Sequence, residues 1–349
     1  MSNNARITIV VTVYNKEKYI KRCLKSIFYQ TDSLFKLIII DDQSTDKSFK
    51  ICQKYCKNLG YKVIAQPHSG PAAARNRGIR LADTDYIFFI DGDDFIAPNT
   101  IEILNNIIDF SPELVVFGIN YALEDGHIIM CAQLPQKYYA NKNGINKSIV
   151  SLWDSNLMYS SCNKLFSLDV IKKNQIYFQN KDFGEDLTFV CDFSKKCNSI
   201  ITLDQCLYTY REHRIDSQSK KIRDDLFEIR KDEFYELRRY FYDMDSLNDN
   251  AIEYISTRFV ERVIGCIENE ASLWNLKPVR NKLKKICSII EDNTVQKSIR
   301  CSKLKSKEMK ILAWLVKNKM TYSLYNLGVL ISIVRNVFPK LFIILKMHR

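Results

Sequence analysis

Two aspartates separated by one glycine are the residues best placed for metal chemistry. Asp91 and Asp93 follow an apolar run, and alternate side chains of an extended segment share a face. Two carboxylates at this spacing can converge on one hard divalent cation, such as Mg²⁺ or Mn²⁺, which completes its shell with substrate phosphates. Because Asp-Gly-Asp is also typical of a turn, the pair alone does not decide the chemistry.

Three other polar residues acquire meaning beside this pair. Asp41 and Asp42 end an earlier apolar run, where they can accept hydrogen bonds from a nucleotide base or ribose, or cap the helix that follows. Arg75 lies just inside a segment predicted to be helical, and its guanidinium is suited to a bidentate contact with a nucleotide phosphate. A lone arginine on a helix is more often solvated, so its weight comes from its neighbours.

The segments that must position these residues alternate between strand and helix. Apolar, β-branched runs predict strands at 7–13, 37–40, 63–65 and 86–90, and helical patterns lie between them at 19–28, 46–59 and 70–81. This alternation predicts an α/β domain with a mostly parallel sheet and flanking helices. Ligands bind beyond the carboxyl ends of such strands, so both acidic pairs are expected on one rim.

The second part of the chain has a different pattern. Beyond about residue 220 amphipathic segments at 226–241, 251–276 and 278–290 predict a mainly helical region with no internal repeat. A length of 349 residues is more than one compact core usually holds. We therefore expect a catalytic α/β domain over residues 1–215 and a helical region over 216–349.

The net charge of +12 is concentrated at the end of the chain. Residues 271–349 contain 17 Lys and Arg against three acids, a net charge of +14, whereas the preceding residues are nearly neutral. The apolar segment 324–345 is interrupted by Arg335, Pro339 and Lys340, which favours a helix lying in an anionic membrane interface over a spanning helix. A helix packed on the catalytic domain is the alternative. The tail lacks nucleic-acid-binding signatures, so no nucleic acid partner is expected.

Cysteine usage and the first residues bear on the compartment. The 11 cysteines include no Cys-x-x-Cys pair, and the first residues lead directly into a strand without a signal peptide. Reduced thiols and a cytoplasmic location, peripheral on the inner face of the cell membrane, are therefore expected.

Four blocks in this order and spacing resemble the family 2 glycosyltransferases of the GT-A fold. They read Val-Thr-Val-Tyr-Asn at 11–15, Asp-Asp-Gln-Ser-Thr-Asp at 41–46, Gly-Pro-Ala-Ala-Ala-Arg-Asn at 70–76 and Phe-Ile-Asp-Gly-Asp-Asp at 89–94. A looser likeness continues through Cys-Asn-Lys-Leu-Phe at 162–166 and Gly-Glu-Asp-Leu at 184–187, and ends within 208–219. The sequence departs from the family's usual pattern at two positions: Thr12 replaces a proline and Gln43 replaces a glycine. These departures bear on loop shape and nucleotide preference.

The resemblance implies a nucleotide-sugar site built from five residues of these blocks. Thr12, Tyr14 and Asp41 would hold the nucleotide base and ribose with Arg75 nearby, and Asp91 would face the ribose or the metal. UDP is the preferred nucleotide on this resemblance.

The resemblance also implies the catalytic and metal-binding residues. Asp93 would be the principal ligand of a Mn²⁺ or Mg²⁺ ion, and Asp186 the general base. Arg211 and His213 would steady the departing diphosphate or complete the metal shell. The expected reaction is inverting transfer of a sugar to a hydroxyl of a glycan or lipid-linked acceptor in surface polysaccharide synthesis.

Two other classes of function remain open at this point. A nucleotidyltransferase could use a similar acidic rim, although the chain has neither a Gly-x-Gly-x-x-Gly nor a Walker-type motif. A non-catalytic scaffold that binds a membrane or nucleic acid through its basic tail is the other. The oligomeric state, the donor sugar and the acceptor are not predicted.

Overall fold

A computed structural model describes residues 5–57, 59–181, 183–211 and 222–337. The chain divides into two compact units, Met1–His213 and Arg214–Arg349. The candidate metal ligand His213 lies outside the described residues, so its role stays a prediction.

The described part of the first unit contains one sheet of ten strands. In chain order they are β1 (Ile7–Val13), β2 (Phe35–Asp41), β3 (Lys62–Ala65), β4 (Tyr86–Asp91), β5 (Phe95–Ile96), β6 (Leu114–Ala122), β7 (Ile128–Ala132), β8 (Lys137–Tyr139), β9 (Lys164–Ser167) and β10 (Ile200–Arg211). Their order across the sheet is β3-β2-β1-β4-β9-β6-β10-β5, with β7 beside β6 and β8 beside β10.

The first four long strands form the parallel core that the sequence predicts. β1 pairs in parallel with β2 on one side and β4 on the other, and β2 pairs in parallel with β3. All seven residues of β1 are buried, as expected for a strand whose sheet is covered on both faces. The register sets Val13 beside Asp41 and Thr12 beside Asp91, which brings both acidic pairs to one rim.

Beyond β4 the sheet becomes mixed. The short strand β9 runs antiparallel to both β4 and β6, and β10 then pairs in parallel with β6. The expected α/β class is confirmed, while the parallel arrangement is limited to part of the sheet. A four-residue strand carries too little sequence pattern to reveal its direction.

Seven helices accompany this sheet within the described residues, and one of them packs closely against a strand. They are α1 (Ile20–Phe28), α2 (Ser48–Cys56), α3 (Gly70–Leu81), α4 (Thr100–Ile107), α5 (Lys142–Asp154), α6 (Leu168–Lys173) and α7 (Glu185–Lys196). α3 approaches β1 closely, since a Cβ atom on Gly78 would lie 2.4 Å from a methyl group of Val10. This contact holds α3 beside the strand end at which both acidic pairs meet.

The described part of the second unit is helical, as expected. Its helices are α8 (Leu226–Asp243), α9 (Asp249–Ala271), α10 (Val279–Glu291), α11 (Asn293–Cys301), α12 (Lys307–Lys317) and α13 (Thr321–Val337). α9 is the central element, because α8, α10, α11, α12 and α13 all pack against it.

α13 shows what becomes of the apolar segment predicted to lie in a membrane. Its buried residues are Leu324, Gly328 and Ser332, and the helix packs against α9 within the second unit. The expected membrane contact of this segment stays a prediction. Arg335, expected to reach lipid headgroups, instead pairs with Glu268 of α9 at 2.5 Å. Residues 338–349 lie outside the described part of the chain.

Two further features concern the membrane and the thiols. No helix among the described residues is long and apolar enough to cross a membrane.

Cys131 of β7 and Cys206 of β10 form a disulfide, which corrects the expectation of reduced thiols for this pair. Both strands flank β6, so the sheet joins residues 75 apart in sequence, a proximity that spacing alone could not reveal. The other nine cysteines are free.

Two helical glycines of the second unit give a matched test of the α9–α13 packing. A Cβ atom on Gly328 would lie 2.6 Å from the Cβ atom of Ala271, whereas one on Gly265 would meet nothing within 4 Å. We expect Gly328→Ala to lower the free energy of unfolding by about 1–3 kcal/mol through overpacking. Gly265→Ala should raise it by about 0.5–1 kcal/mol, because alanine is the better helix former. Urea unfolding of both variants would contradict this packing if the two changes had the same sign.

Candidate active site

The Asp-Gly-Asp segment is folded by the close approach of β4 to β1. The Gly92 N–H donates to the Thr12 carbonyl at 2.9 Å, and a Cβ atom on Gly92 would lie 3.0 Å from that oxygen. The hydroxyl of Thr12 lies 3.1 Å from Asp91 Oδ1. Glycine therefore permits the backbone contact that brings Thr12 and Asp91 together on the rim.

Arg75 links the acids of this rim from beneath. Its buried guanidinium contacts Asp91 Oδ1 at 2.9 Å, Asp186 Oδ1 at 3.2 Å and Glu185 Oε1 at 3.3 Å. Burial lowers the pKa of Arg75, but the surrounding carboxylates outweigh it and raise the pKa well above its usual value. Its predicted phosphate contact stays a prediction, whereas its place in the structure is among carboxylates.

The predicted base Asp186 lies in the first turn of α7. Gly184 precedes the helix with a φ of 85°, a left-handed conformation that favours glycine. Asp186 Oδ1 accepts a hydrogen bond from the Ser161 hydroxyl at 2.8 Å as well as the contact with Arg75. Burial and the neighbouring Asp186 raise the pKa of Glu185, although Arg75 opposes the rise. The carboxylate of Asp186 is therefore fixed on one side.

Asp93 is engaged by a cation from the protein itself. The Lys16 ammonium donates to Asp93 Oδ2. Burial lowers the pKa of Lys16, but the carboxylates of Asp93, Asp91 and Asp94 outweigh burial, and the pKa is raised above its usual value. The oxygen of Asp93 therefore faces a position that already accommodates positive charge.

The donor set on this rim suits a hard cation that takes part of its shell from substrate. In the described ranges no three His, Cys, Asp or Glu side chains form a group that could hold a metal by themselves. Hard cations such as Mg²⁺ often bind one or two carboxylates and draw their other oxygen ligands from water and phosphates. Asp93, with its cation-facing oxygen, fits that mode of binding.

The neighbouring Asp94 has a structural role instead. It is buried, and it accepts hydrogen bonds from the Tyr208 hydroxyl at 2.5 Å and from the Arg211 N–H at 2.8 Å. Burial and the charges of Asp93 and Asp91 raise its pKa well above the usual range. These contacts bring the end of β10 beside the Asp91–Asp94 segment, and the Arg211 guanidinium lies over the Tyr19 ring at 4.8 Å.

The other end of the rim has an unused acceptor. Asp41 is buried and its Oδ1 accepts from the Ser44 N–H at 2.9 Å, while its Oδ2 has no hydrogen-bond partner within the described residues. Tyr14, half exposed, stacks on His68 with ring centroids 4.3 Å apart. A buried acceptor beside a stacked aromatic pair is suited to a planar, hydrogen-bonding group such as a nucleotide base.

Asp42 builds the loop beneath this acceptor. Its carboxylate accepts from the Gln66 amide at 2.7 Å and from the backbone N–H groups of Ser69 and Gly70 at 3.0 and 2.9 Å. Gln43 adopts a φ of 64°, a left-handed backbone conformation that glycine reaches more easily than other residues, so glycine would suit this position. Its side chain accepts from the His68 N–H at 2.9 Å, so the replacement of glycine supplies a loop contact.

Several residues of the site were not identified from the sequence. Lys16 and His68 lie within a few residues of the recognised blocks, and Ser161 immediately precedes the block at 162–166. Their position beside these blocks was the only signal available. Charge or a hydroxyl group alone does not distinguish them from surface residues.

Comparison with known proteins places this geometry in a family. The family described as "Glycosyl transferase family 2" matches residues 8–173. The glycosyltransferase GlyG of Streptococcus pneumoniae is 31% identical over 215 residues, which cover 59% of this chain and 70% of GlyG. The chain belongs to glycosyl transferase family 2. It is therefore a glycosyltransferase, and the nucleotidyltransferase and scaffold alternatives are set aside.

Other relatives cover more of the enzyme or have solved structures. The putative glycosyltransferase EpsH of Bacillus subtilis is 28% identical and covers 84% of the enzyme, which spans 85% of EpsH. A crystal structure of residues 1–349 of Staphylococcus aureus TarS with UDP-GlcNAc matches with a TM-score of 0.65 and 19% identity, covering 93% of the enzyme and 90% of that chain. This likeness confirms the GT-A fold.

The relatives differ in length. TarS of Staphylococcus aureus, a poly(ribitol-phosphate) beta-N-acetylglucosaminyltransferase, is 27% identical over 60% of the enzyme, but the enzyme spans only 36% of TarS. The shared segment is therefore a part of a larger protein in that relative.

The carboxylate cluster around Arg75 generates a pH-dependent prediction. Removing one partner of a buried ion pair leaves uncompensated charge, so Arg75→Met should lower the free energy of unfolding by about 3 kcal/mol at pH 8. Arg75 opposes the rise in the pKa of Glu185, so removing Arg75 raises that pKa further and lets the carboxyl group lose its charge in the folded variant as the pH falls. The loss should therefore be smaller at pH 5. Urea unfolding at both pH values measures it, with the exposed Arg80→Met on the same helix as control. Equal losses at the two pH values would contradict the assignment.

Proposed function

We propose that this glycosyltransferase transfers a sugar, with inversion, from a nucleoside diphosphate donor to an acceptor hydroxyl. The observation that carries the donor proposal is the buried Oδ2 of Asp41, which lacks a hydrogen-bond partner among the described residues. A nucleotide base N–H would satisfy it, with Tyr14 beside the base. UDP is the proposed nucleotide, supported by the resemblance and by the TarS structure in complex with UDP-GlcNAc.

Asp186 is proposed as the general base. It takes the proton of the acceptor hydroxyl while that oxygen forms a bond to the anomeric carbon, and the bond to the diphosphate oxygen breaks with its electron pair. A single displacement of this kind inverts the anomeric centre. Arg75 holds Asp186 in place, and Arg211 at the end of β10 is proposed to steady the departing diphosphate.

The proposed metal site comprises Asp93, with Asp91 beside it and His213 as a further candidate. When bound, a Mn²⁺ or Mg²⁺ ion offsets the negative charge that develops on the diphosphate. Lys16 supports this placement, because its ammonium already neutralises Asp93 in the described structure.

Surface polysaccharide or another cell-surface polymer is the proposed acceptor class. TarS acts on poly(ribitol-phosphate), as its name states, and the fold extends over most of both chains. We propose residues 1–215 as the catalytic domain and residues 216–349 as a helical domain that binds the inner face of the cell membrane.

The membrane proposal is supported by one face of α12. Ile311 and Trp314 are 59% and 56% exposed, and Lys307, Lys310 and Lys317 are exposed on the same side of the helix. Exposed apolar side chains flanked by lysines are typical of helices that lie on anionic lipid. We therefore propose that α12 and the basic residues from 271 onward contact the membrane, in place of the face of α13 that packs on α9.

The donor proposal is tested by calorimetric titration of the purified enzyme with UDP, GDP and TDP, with Mn²⁺ and then with EDTA. We expect UDP to bind in the presence of Mn²⁺ and to bind at least tenfold more weakly in EDTA, because Asp93 would hold the ion and the ion would offset the charge of the diphosphate. Asp93→Ala should reproduce the effect of EDTA in the presence of Mn²⁺. Absence of binding to all three nucleotides by the folded enzyme would refute the proposal.

Asp186→Asn separates binding from chemistry in the same assay. The amide cannot take a proton, so UDP affinity should stay within about twofold of wild type while turnover of the donor falls at least 100-fold. Turnover that survives this substitution would exclude Asp186 as the base.

Membrane binding is tested by flotation with vesicles of phosphatidylcholine alone or with 30% phosphatidylglycerol, roughly the anionic content that makes basic surfaces bind. The enzyme should float only with the anionic vesicles. Reversing two charges on α12, Lys310→Glu with Lys317→Glu, should weaken binding at least tenfold, since each lysine contributes about 1 kcal/mol. The same reversal on α2, Lys50→Glu with Lys54→Glu, is the control. Equal effects of both pairs, or no flotation of wild type, would refute this surface.

A further inference from the structure

A fully buried lysine beneath the active site has no role in the chemistry described so far. Lys164 begins β9, and its ammonium donates to the carbonyls of Leu157 and Ser160 and to the side-chain oxygen of Asn163. The last two distances are 2.5 and 2.8 Å. All three acceptors are neutral, and burial lowers the pKa of Lys164 to about 7. A buried charge at this position is costly unless it organises its surroundings.

The acceptors of Lys164 all lie in one short segment, residues 157–163. Their carbonyl and amide oxygens turn toward a single ammonium, so the charge sets the path of the backbone. The segment is anchored to β6 as well, because the Asn163 amide donates to the Phe117 carbonyl at 2.9 Å and the Phe117 N–H donates to the Asn163 carbonyl at 3.2 Å. The segment is therefore fixed on two sides.

The side chains between these anchors reach two acids of the active site. The Ser161 hydroxyl donates to Asp186 Oδ1 at 2.8 Å, and the Cys162 thiol lies 3.6 Å from Asp91 Oδ2. Both side chains are buried. Ser161 and Arg75 both contact Oδ1 of Asp186, so under the proposed mechanism Oδ2 would be the oxygen that takes the proton of the acceptor.

We propose that Ser161 is a positioning residue for Asp186 and that the buried amino group of Lys164 holds Ser161 in place through its hydrogen bonds to residues 157–163. The inference rests on the proposed role of Asp186 as the base. A hydroxyl fixed on one carboxylate oxygen restricts rotation of the carboxyl group, which keeps the other oxygen aligned for proton transfer.

The test uses the full chain with UDP-GlcNAc as the probe donor, and measures UDP released with water as acceptor. Ser161→Ala should lower kcat at least tenfold while the calorimetric Kd for UDP stays within twofold. The control is Ser194→Ala on α7, a buried serine whose hydroxyl bonds only to helix carbonyls at 2.6 and 3.3 Å among the described contacts. It should change neither quantity more than twofold.

A double-substitution cycle separates positioning from general loss of structure. Lys164→Met should lower kcat, and adding Ser161→Ala to it should cause less than a threefold further loss, because both act through one hydrogen bond. Where Lys164→Met does not fold, the kcat and the UDP Kd of Ser161→Ala decide alone.

Two outcomes would overturn the inference. They are a loss of kcat below threefold in Ser161→Ala, and multiplicative losses of kcat in the double variant. Failure of the proposed function is distinguishable, since wild type would then not turn over UDP-GlcNAc or Asp186→Asn would remain active. In that case the inference fails with it.

Discussion

The active site depends on one buried cation held among three carboxylates. Arg75 of α3 contacts Asp91 at the end of β4 and both acids at the start of α7. Without a cation these carboxylates would repel one another across a poorly hydrated space. With it, a helix and a strand from the first hundred residues are fixed against a helix that begins at Glu185. The guanidinium thus joins Asp91 of the Asp-Gly-Asp segment to Asp186, the proposed base.

The paired acids divide their work in the same way at both ends of the rim. Asp42 and Asp94 are buried and spend their oxygens on backbone and hydroxyl donors, so they shape the loops. Asp41 precedes Asp42 and Asp93 precedes Asp94 in the chain. Asp41 keeps one oxygen without a hydrogen-bond partner among the described residues, and one oxygen of Asp93 accepts from the Lys16 ammonium. An adjacent pair of acids can therefore supply both a rigid loop and a group that faces the ligand.

Local sequence patterns predicted what depends on local physics. The β-branched runs located the parallel strands, and the acids that follow them indicated the rim. The direction of β9, the Cys131–Cys206 pair, the Lys16 contact and the packing of α13 on α9 arise from pairings between distant segments. Arg75 was recognised by its block, but its carboxylate partners could not be read from a helix position alone.

The dependence of the Asp91–Asp94 loop on β10 has a consequence for synthesis of the enzyme. Tyr208 contacts Asp94 across 114 positions of sequence, and β5 is paired by the same strand. Such non-local pairing forms slowly, after the local helices and neighbouring strands. A nascent chain emerging from the ribosome carries all four recognised blocks by residue 94, long before β10 can support them. The growing polypeptide is therefore expected to acquire donor binding only once residue 211 has left the exit tunnel.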